Sequence, residues 1–213
     1  MDINKFQKRF LLFIIAHFLL TLGSLNILAN FKVLPSWFSL FFFFSFIGNI
    51  IAFVAYITIY KANRNFLRAF IAFIIFLILS IFFDACSKSK DDFYLTWSRG
   101  LEISASFVLC ASYVYFFFGI HDYFHSTDEA EGKKKTWAAA IVIIALFAIQ
   151  QIMAFISSLS ITKQHVVFYS VCRFGSWGLS IATYVFILVG LITAFILIKK
   201  RPKEELTNEK NAE

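Results

Sequence analysis

Charged residues are scarce in this sequence. Only 15% of the 213 residues are charged and 60% are hydrophobic, with a mean hydropathy of +0.75. Soluble globular domains are about 25% charged and about 45 to 50% apolar. So little charge excludes an ordinary water-soluble domain, and we expect the lipid bilayer to be the chain's main partner.

Proline and glycine are also rare, with two and eight residues respectively. No linker or soluble segment longer than a loop separates the apolar stretches. We therefore expect one compact membrane domain over residues 1–201, followed by a hydrophilic, disordered tail over residues 202–213.

The motifs of several enzyme classes are missing from the sequence: a phosphate-binding loop, the zinc-protease HExxH and the nucleophile elbow GxSxG. The net charge of +7 comes from short basic groups at the ends of apolar stretches, where lipid headgroups are the expected partners. We predict neither an enzyme nor a nucleic-acid-binding protein. An intramembrane enzyme that uses Glu102 or His121 is the weaker alternative.

Six apolar stretches come close to, or exceed, the about 20 residues that a helix needs to cross a bilayer. They cover residues 10–29, 37–60, 66–83, 94–118, 137–159 and 177–198. In lipid a helix satisfies its backbone hydrogen bonds internally, and the alternation of a membrane barrel is not seen. The sequence thus predicts an all-α integral membrane protein with six transmembrane helices.

Basic residues predict the orientation of these spans. Fourteen of the 20 Lys and Arg residues fall on one side: Lys5, Lys8, Arg9, Lys61, Arg64, Arg68, Lys133, Lys134, Lys135, Lys199, Lys200, Arg201, Lys203 and Lys210. We predict a multi-pass protein of the plasma (inner) membrane. The positive-inside rule places this side, and both termini, in the cytoplasm. The first span is longer than the about 7 to 15 apolar residues of a signal peptide, so we expect it to be retained.

The fourth span carries charge inside itself. Arg99, Glu102, Ser106, Cys110 and Tyr113 follow helical spacing and fall on one arc of roughly 80°. A charge at the centre of a membrane helix costs about 2.5 to 3.5 kcal/mol on insertion scales. Either Arg99 and Glu102 pair with each other near the interface, or they line a polar cavity that opens outward.

Other polar residues on the predicted outer side would complete such a cavity. The candidate ligand-binding residues are Arg99, Glu102, Asp84, Gln150, Gln151 and Asn26. A guanidinium, two carboxylates and several amides suit a small polar or zwitterionic solute, so we predict that the protein recognises or transports one. The alternative is a non-catalytic accessory or assembly subunit that binds a membrane protein partner.

Cysteine and histidine are too few to define a site. Cys86 and Cys172 lie on the same predicted side, where a disulfide and two free thiols are both open alternatives. His121 and His125 are one helical turn apart, but a zinc site needs more ligands than these two. We predict no metal and no cofactor.

Two further patterns concern helix packing. Three pairs of small residues allow close approach of helices within the bundle or in a homo-oligomer: Gly48 with Ala52, Gly178 with Ala182, and Gly190 with Ala194. His17, Thr21 and Ser24 share one face of the first span, which predicts hydrogen bonds to a neighbouring helix.

Overall fold

Six α-helices make up the chain in a computed structural model that describes residues 3–26, 40–88, 92–126, 130–159 and 166–212. Within these ranges it describes the side chains other than those of residues 3–5, 92–96, 99, 126, 157–159, 166–169 and 200–212. The helices are α1 (Ile3–Ser24), α2 (Phe41–Ile59), α3 (Arg64–Ser87), α4 (Asp92–Ser126), α5 (Ala130–Leu159) and α6 (Val166–Ala212). Each contains a stretch long and apolar enough to cross a membrane, which confirms the predicted set of six apolar helices and supports a multi-pass membrane protein.

Most helices begin or end outside the apolar stretches that predicted them. α4 has 35 residues, about 52 Å at 1.5 Å per residue, against a hydrocarbon core of about 30 Å. A helix is longer than the apolar stretch that predicted it because hydropathy identifies only the part of the helix that suits the hydrocarbon core. The predicted start of the second span, Trp37, lies outside the described residues, and α2 begins at Phe41.

The C-terminal end of α6 extends into the segment that the sequence predicts as a hydrophilic tail. α6 continues to Ala212, so residues 202–212 are helical where the sequence predicts a disordered tail. No glycine or proline follows Pro202, and several residues after it are strong helix formers.

The helices form a ring in chain order. α1 packs on α2, α3 on α4, α4 on α5, α5 on α6, and α6 on α1, with a smaller contact between α2 and α3. α1 and α4 also meet across the centre of the ring, where the rings of Phe13 and Phe116 have centroids 4.3 Å apart.

One end of the bundle, which we call the basic end, carries the cationic groups of the predicted cytoplasmic loops. Gln7 Nε2 donates to the carbonyl of Ile198 at 3.3 Å, and Asn63 Nδ2 donates to that of Gly119 at 2.8 Å. The starts of α1 and α3 therefore lie beside the ends of α6 and α4. The described cationic side chains at this end include Lys8, Arg9, Lys61, Arg64, Arg68, Lys133, Lys134, Lys135 and Lys199. The opposite end is called the distal end.

An aromatic core fills the half of the bundle next to the basic end. Phe10, Phe13, Tyr56, Phe66 and Phe116 come from four helices, and each is at most 1% exposed. Their rings meet edge to face, tilted or stacked: Phe13 and Tyr56 meet edge to face at 4.8 Å, and Phe10 stacks on Phe116 at 6.0 Å. These are preferred geometries for aromatic pairs. This half of the bundle is tightly packed.

Small residues set the closest helix contacts. A Cβ at Gly23 would overlap Ser45 of α2, with Ser45 Cα only 2.7 Å away, and a Cβ at Gly48 would lie 3.1 Å from the carbonyl oxygen of Ala16. On α6, a Cβ at Gly190 would lie 3.0 Å from the ring of Phe117, whereas Gly178 has open space around it. Gly48 and Gly190 therefore serve packing inside the bundle, whereas a Cβ at Gly178 would contact none of the residues that the structure describes.

Candidate functional site

A buried pair of hydrogen bonds joins three helices in the core. The Tyr56 hydroxyl lies 2.8 Å from Ser112 Oγ, and Ser112 Oγ donates to the Ala69 carbonyl at 2.9 Å. A serine hydroxyl has one proton, so Tyr56 is the donor to Ser112. These contacts link α2, α4 and α3 and close the core below the distal half of the bundle.

Toward the distal end, the inward face of α4 is no longer buried at every position. Its buried positions recur at Ser98, Ala105 and Leu109, each 6% exposed. Glu102 lies in the middle of this arc at helical spacing, yet its side chain is exposed. Because Ser98, one turn farther out, is buried again, Glu102 is an exposed position between buried ones on this arc.

Asp84 on α3 shows the same change. It continues the helical face that Phe66 and Phe73 bury in the core, but its side chain is 63% exposed. Its Oδ2 lies 2.6 Å from Lys88 Nζ, one turn farther along α3. The carboxylate thus lies at the mouth of the bundle and is paired with a cation of its own helix.

Gln150 on α5 is the third polar residue on an inward face. The buried positions of this helix include Ala139, Ile143 and Phe147, and Gln150 follows Phe147 at helical spacing. Gln150 is half-buried. We call the region around Asp84, Glu102 and Gln150 the distal pocket, the polar pocket that the sequence predicts.

Antiparallel packing places these three residues at successive depths along the distal half of α4. Ser112 of α4 bonds to Ala69 of α3, and extending that register toward the distal end places Asp84 beside the turn that contains Arg99. The ring of Tyr113 faces Phe147 of α5 at 6.3 Å. The same extension places Gln150 opposite Cys110, about 12 Å along α4 from Glu102.

His17 lies on α1, at the boundary between the aromatic core and the distal pocket. It is 2% exposed, its ring meets that of Tyr113 edge-on at 5.3 Å, and its Nδ1 lies 2.8 Å from the Phe13 carbonyl. A carbonyl only accepts hydrogen bonds, so Nδ1 carries the proton and Nε2 is left as an acceptor. Among the described atoms, this buried Nε2 has no hydrogen-bond partner.

The predicted hydrogen bonds from His17, Thr21 and Ser24 to a neighbouring helix are wrong. Thr21 donates to the His17 carbonyl and Ser24 to the Thr21 carbonyl, both at 2.7 Å. Hydroxyl side chains in a helix often bond to the carbonyl three or four residues earlier. These three side chains therefore form their hydrogen bonds within α1, and His17 Nε2 is left without a partner among the described atoms.

Comparison with known proteins gives no relative. No family model, curated protein or solved structure matches this chain. Its function therefore has to be inferred from the geometry of the distal pocket.

The remaining predicted site residues are Asn26, Gln151, Arg99, Cys86 and Cys172. Asn26 follows α1 in a short 3₁₀ turn and is half-buried, as is Gln151 on α5. The side chain of Arg99 lies outside the described residues, so the structure does not test its pairing with Glu102. Cys86 and Cys172 are both free thiols, so the structure does not form the disulfide that was one of two alternatives.

The two histidines near the basic end, His121 and His125, lie on successive turns of α4. The rings of His121 and His125 have centroids 6.3 Å apart, and His121 Nδ1 lies 3.9 Å from Asp122 Oδ1. Asp122 accepts a 2.7 Å hydrogen bond from Asn65 of α3. Across the described part of the chain, no three metal-ligating side chains converge.

Three residues that connect the helices of the core have no clear signature in the sequence. Tyr56, Ser112 and Asn63 were not singled out, although each bonds to another helix. The only sequence signal was a polar group within an otherwise apolar stretch, as at Ser112, or just before one, as at Asn63. Such a group needs a partner in lipid, but the sequence does not say which helix supplies it.

Proposed function

We propose that this chain is a multi-pass membrane protein that recognises or transports a small polar solute through the distal pocket. The supporting observation is Glu102, an exposed carboxylate on the arc of α4 that is otherwise buried. If the basic end faces the cytoplasm, as the positive-inside rule favours, the pocket opens outward.

The chemistry of the lining suits a solute with hydrogen-bond donors. Glu102 offers carboxylate oxygens and Gln150 an amide, and His17 Nε2, buried against Tyr113, offers a lone pair. An unsatisfied buried acceptor costs about 1 to 3 kcal/mol, and a bound donor group would offset that cost. The aromatic core beneath closes the pocket, so transport would require Phe13, Tyr113 and Phe147 to move apart.

Native mass spectrometry of the gently purified protein tests this proposal. We expect a small polar molecule to co-purify with the wild type, and a titration of that molecule to show at least about tenfold weaker binding to Glu102→Gln, because a charge-assisted hydrogen bond is lost. Glu131→Gln is the matched control, since Glu131 is an exposed carboxylate at the basic end, paired with Lys135 at 2.5 Å. No bound solute, or equal binding by both variants, would contradict the proposal.

The second candidate function is that of an accessory subunit. Gly178 and Ala182 form a small-residue pair on α6, both are exposed, and a Cβ at Gly178 would meet nothing within 4 Å. Such a surface allows a helix of another protein to approach closely. A stoichiometric protein partner that is lost from Gly178→Leu, with no solute bound, would favour this function.

A further inference from the structure

A second cavity lies between α5 and α6 near the basic end, on the outside of the bundle. It has a volume of about 180 Å³, smaller than the about 300 to 1,000 Å³ of typical small-molecule pockets. Its lining includes Phe117, Ala139, Phe186, Gly190 and Ala194. We call it the α5–α6 groove.

Small side chains create the groove, and its interior is apolar. Ala139, Gly190 and Ala194 leave space between the helices, while Phe117 of α4 forms the floor. The one buried polar side chain in the described lining, Thr136, already donates to carbonyls of its own helix at 2.8 and 3.1 Å. The interior therefore favours an apolar occupant.

The dimensions of the groove fit one leaflet of a bilayer. Its lining on α6 extends from Phe186 to Leu197, about 16 Å at 1.5 Å per residue. This is roughly half of a hydrocarbon core of about 30 Å. A long, narrow groove of this length matches a single acyl chain better than a compact solute.

The mouth of the groove carries positive charge. Lys135 lines the groove, Lys134 is exposed beside it, and Lys199 lies on α6 two residues past Leu197, the last lining residue. Trp137, 52% exposed, is a residue type enriched where helices cross the headgroup level. Lys135 also pairs with Glu131, but an ammonium group has three donors and can contact a phosphate as well.

We propose that the α5–α6 groove binds one acyl chain of an anionic phospholipid, whose phosphate contacts Lys135. The apolar lining holds the chain, and the lysines at the mouth select the headgroup. This site is separate from the distal pocket and does not depend on the function proposed there.

Binding of phosphatidylglycerol and phosphatidylcholine by the full-length protein, measured by native mass spectrometry at equal lipid concentrations, tests the proposal. We expect one tightly retained phosphatidylglycerol per chain and several-fold weaker retention of phosphatidylcholine. Thr193→Trp, which fills the groove, should weaken phosphatidylglycerol retention about tenfold, while Ile196→Trp on the exposed face of α6 should not. Lys135→Gln should reduce the preference between the two lipids more than Lys134→Gln does.

A second measurement needs no variant. A phosphatidylglycerol with a photoactivatable acyl chain should crosslink to residues of the groove, such as Phe186 and Val189, in the wild type. Crosslinks elsewhere only, or equal retention of both lipids, would overturn the proposal. So would unchanged retention by folded Thr193→Trp, or a dimer that this variant abolishes without any effect on lipid.

Discussion

Tyr56 on α2 donates its phenolic hydrogen to Ser112 on α4 across 2.8 Å, although the two residues are 56 positions apart in the chain. Tyr56 is 1% and Ser112 0% exposed. Because Ser112 then donates to Ala69 on α3, one serine hydroxyl fixes the relative positions of three helices.

Ser112→Ala should destabilise the protein more than Tyr56→Phe does. The first change leaves both the Tyr56 hydroxyl and the Ala69 carbonyl without this partner, at a cost of about 1 to 3 kcal/mol, whereas the second removes a single bond worth about 0.5 to 1.5 kcal/mol. Unfolding in detergent, followed by circular dichroism, measures both. In the double variant the two effects should not add, and full additivity would show that the side chains act independently.

Gly23→Ala should loosen the contact between α1 and α2. The new Cβ would lie 2.7 Å from Ser45 Cα, so the helices must separate, at a cost of about 1 to 3 kcal/mol. Gly178→Ala is the matched control, since its Cβ meets nothing and alanine is the better helix former. Thermal stability should fall for the first variant and stay level or rise for the second. Equal effects would contradict this packing.

Cysteine labelling should distinguish water-exposed from lipid-exposed positions on α4. Glu102 and Ile103 are both exposed, but only Glu102 lies on the inward arc. In a background lacking the three native cysteines, Glu102→Cys should react with a charged, membrane-impermeant thiol reagent about tenfold faster than Ile103→Cys, since the reactive thiolate forms in water. Similar rates at the two positions would show that the distal pocket is not water-filled.

The basic end should face the cytoplasm. Lys133, Lys134 and Lys135 lie at this end together with Lys61 and Lys199, and such groups are retained on the cytoplasmic side. Reporter domains fused to either terminus should therefore be active only when the reporter functions in the cytoplasm. A terminus that reports from the opposite side of the membrane would overturn the orientation, and with it the outward opening of the distal pocket.

Helical spacing in the sequence predicted some features of the polar stripe of α4 and not others. Helical spacing placed Glu102 and Tyr113 on one arc, and both fall within or beside the inward face in the structure. Spacing did not show that Tyr113 is 3% exposed while Glu102 is exposed. That difference depends on how closely α3 and α5 approach each turn of α4.

The sequence by itself determined the number of helices, the grouping of cationic residues at one end and the positions of charge within the spans. These are properties of consecutive residues, because crossing a bilayer depends on the apolar length of each segment. Only the tertiary structure decided that Ser112 pairs with Tyr56 and that Thr21 and Ser24 bond within α1. It also decided that Gly190 borders a groove, whereas Gly178 contacts no described residue of another helix. Those outcomes depend on the rotation and spacing of neighbouring helices, which hydropathy and helical periodicity do not specify.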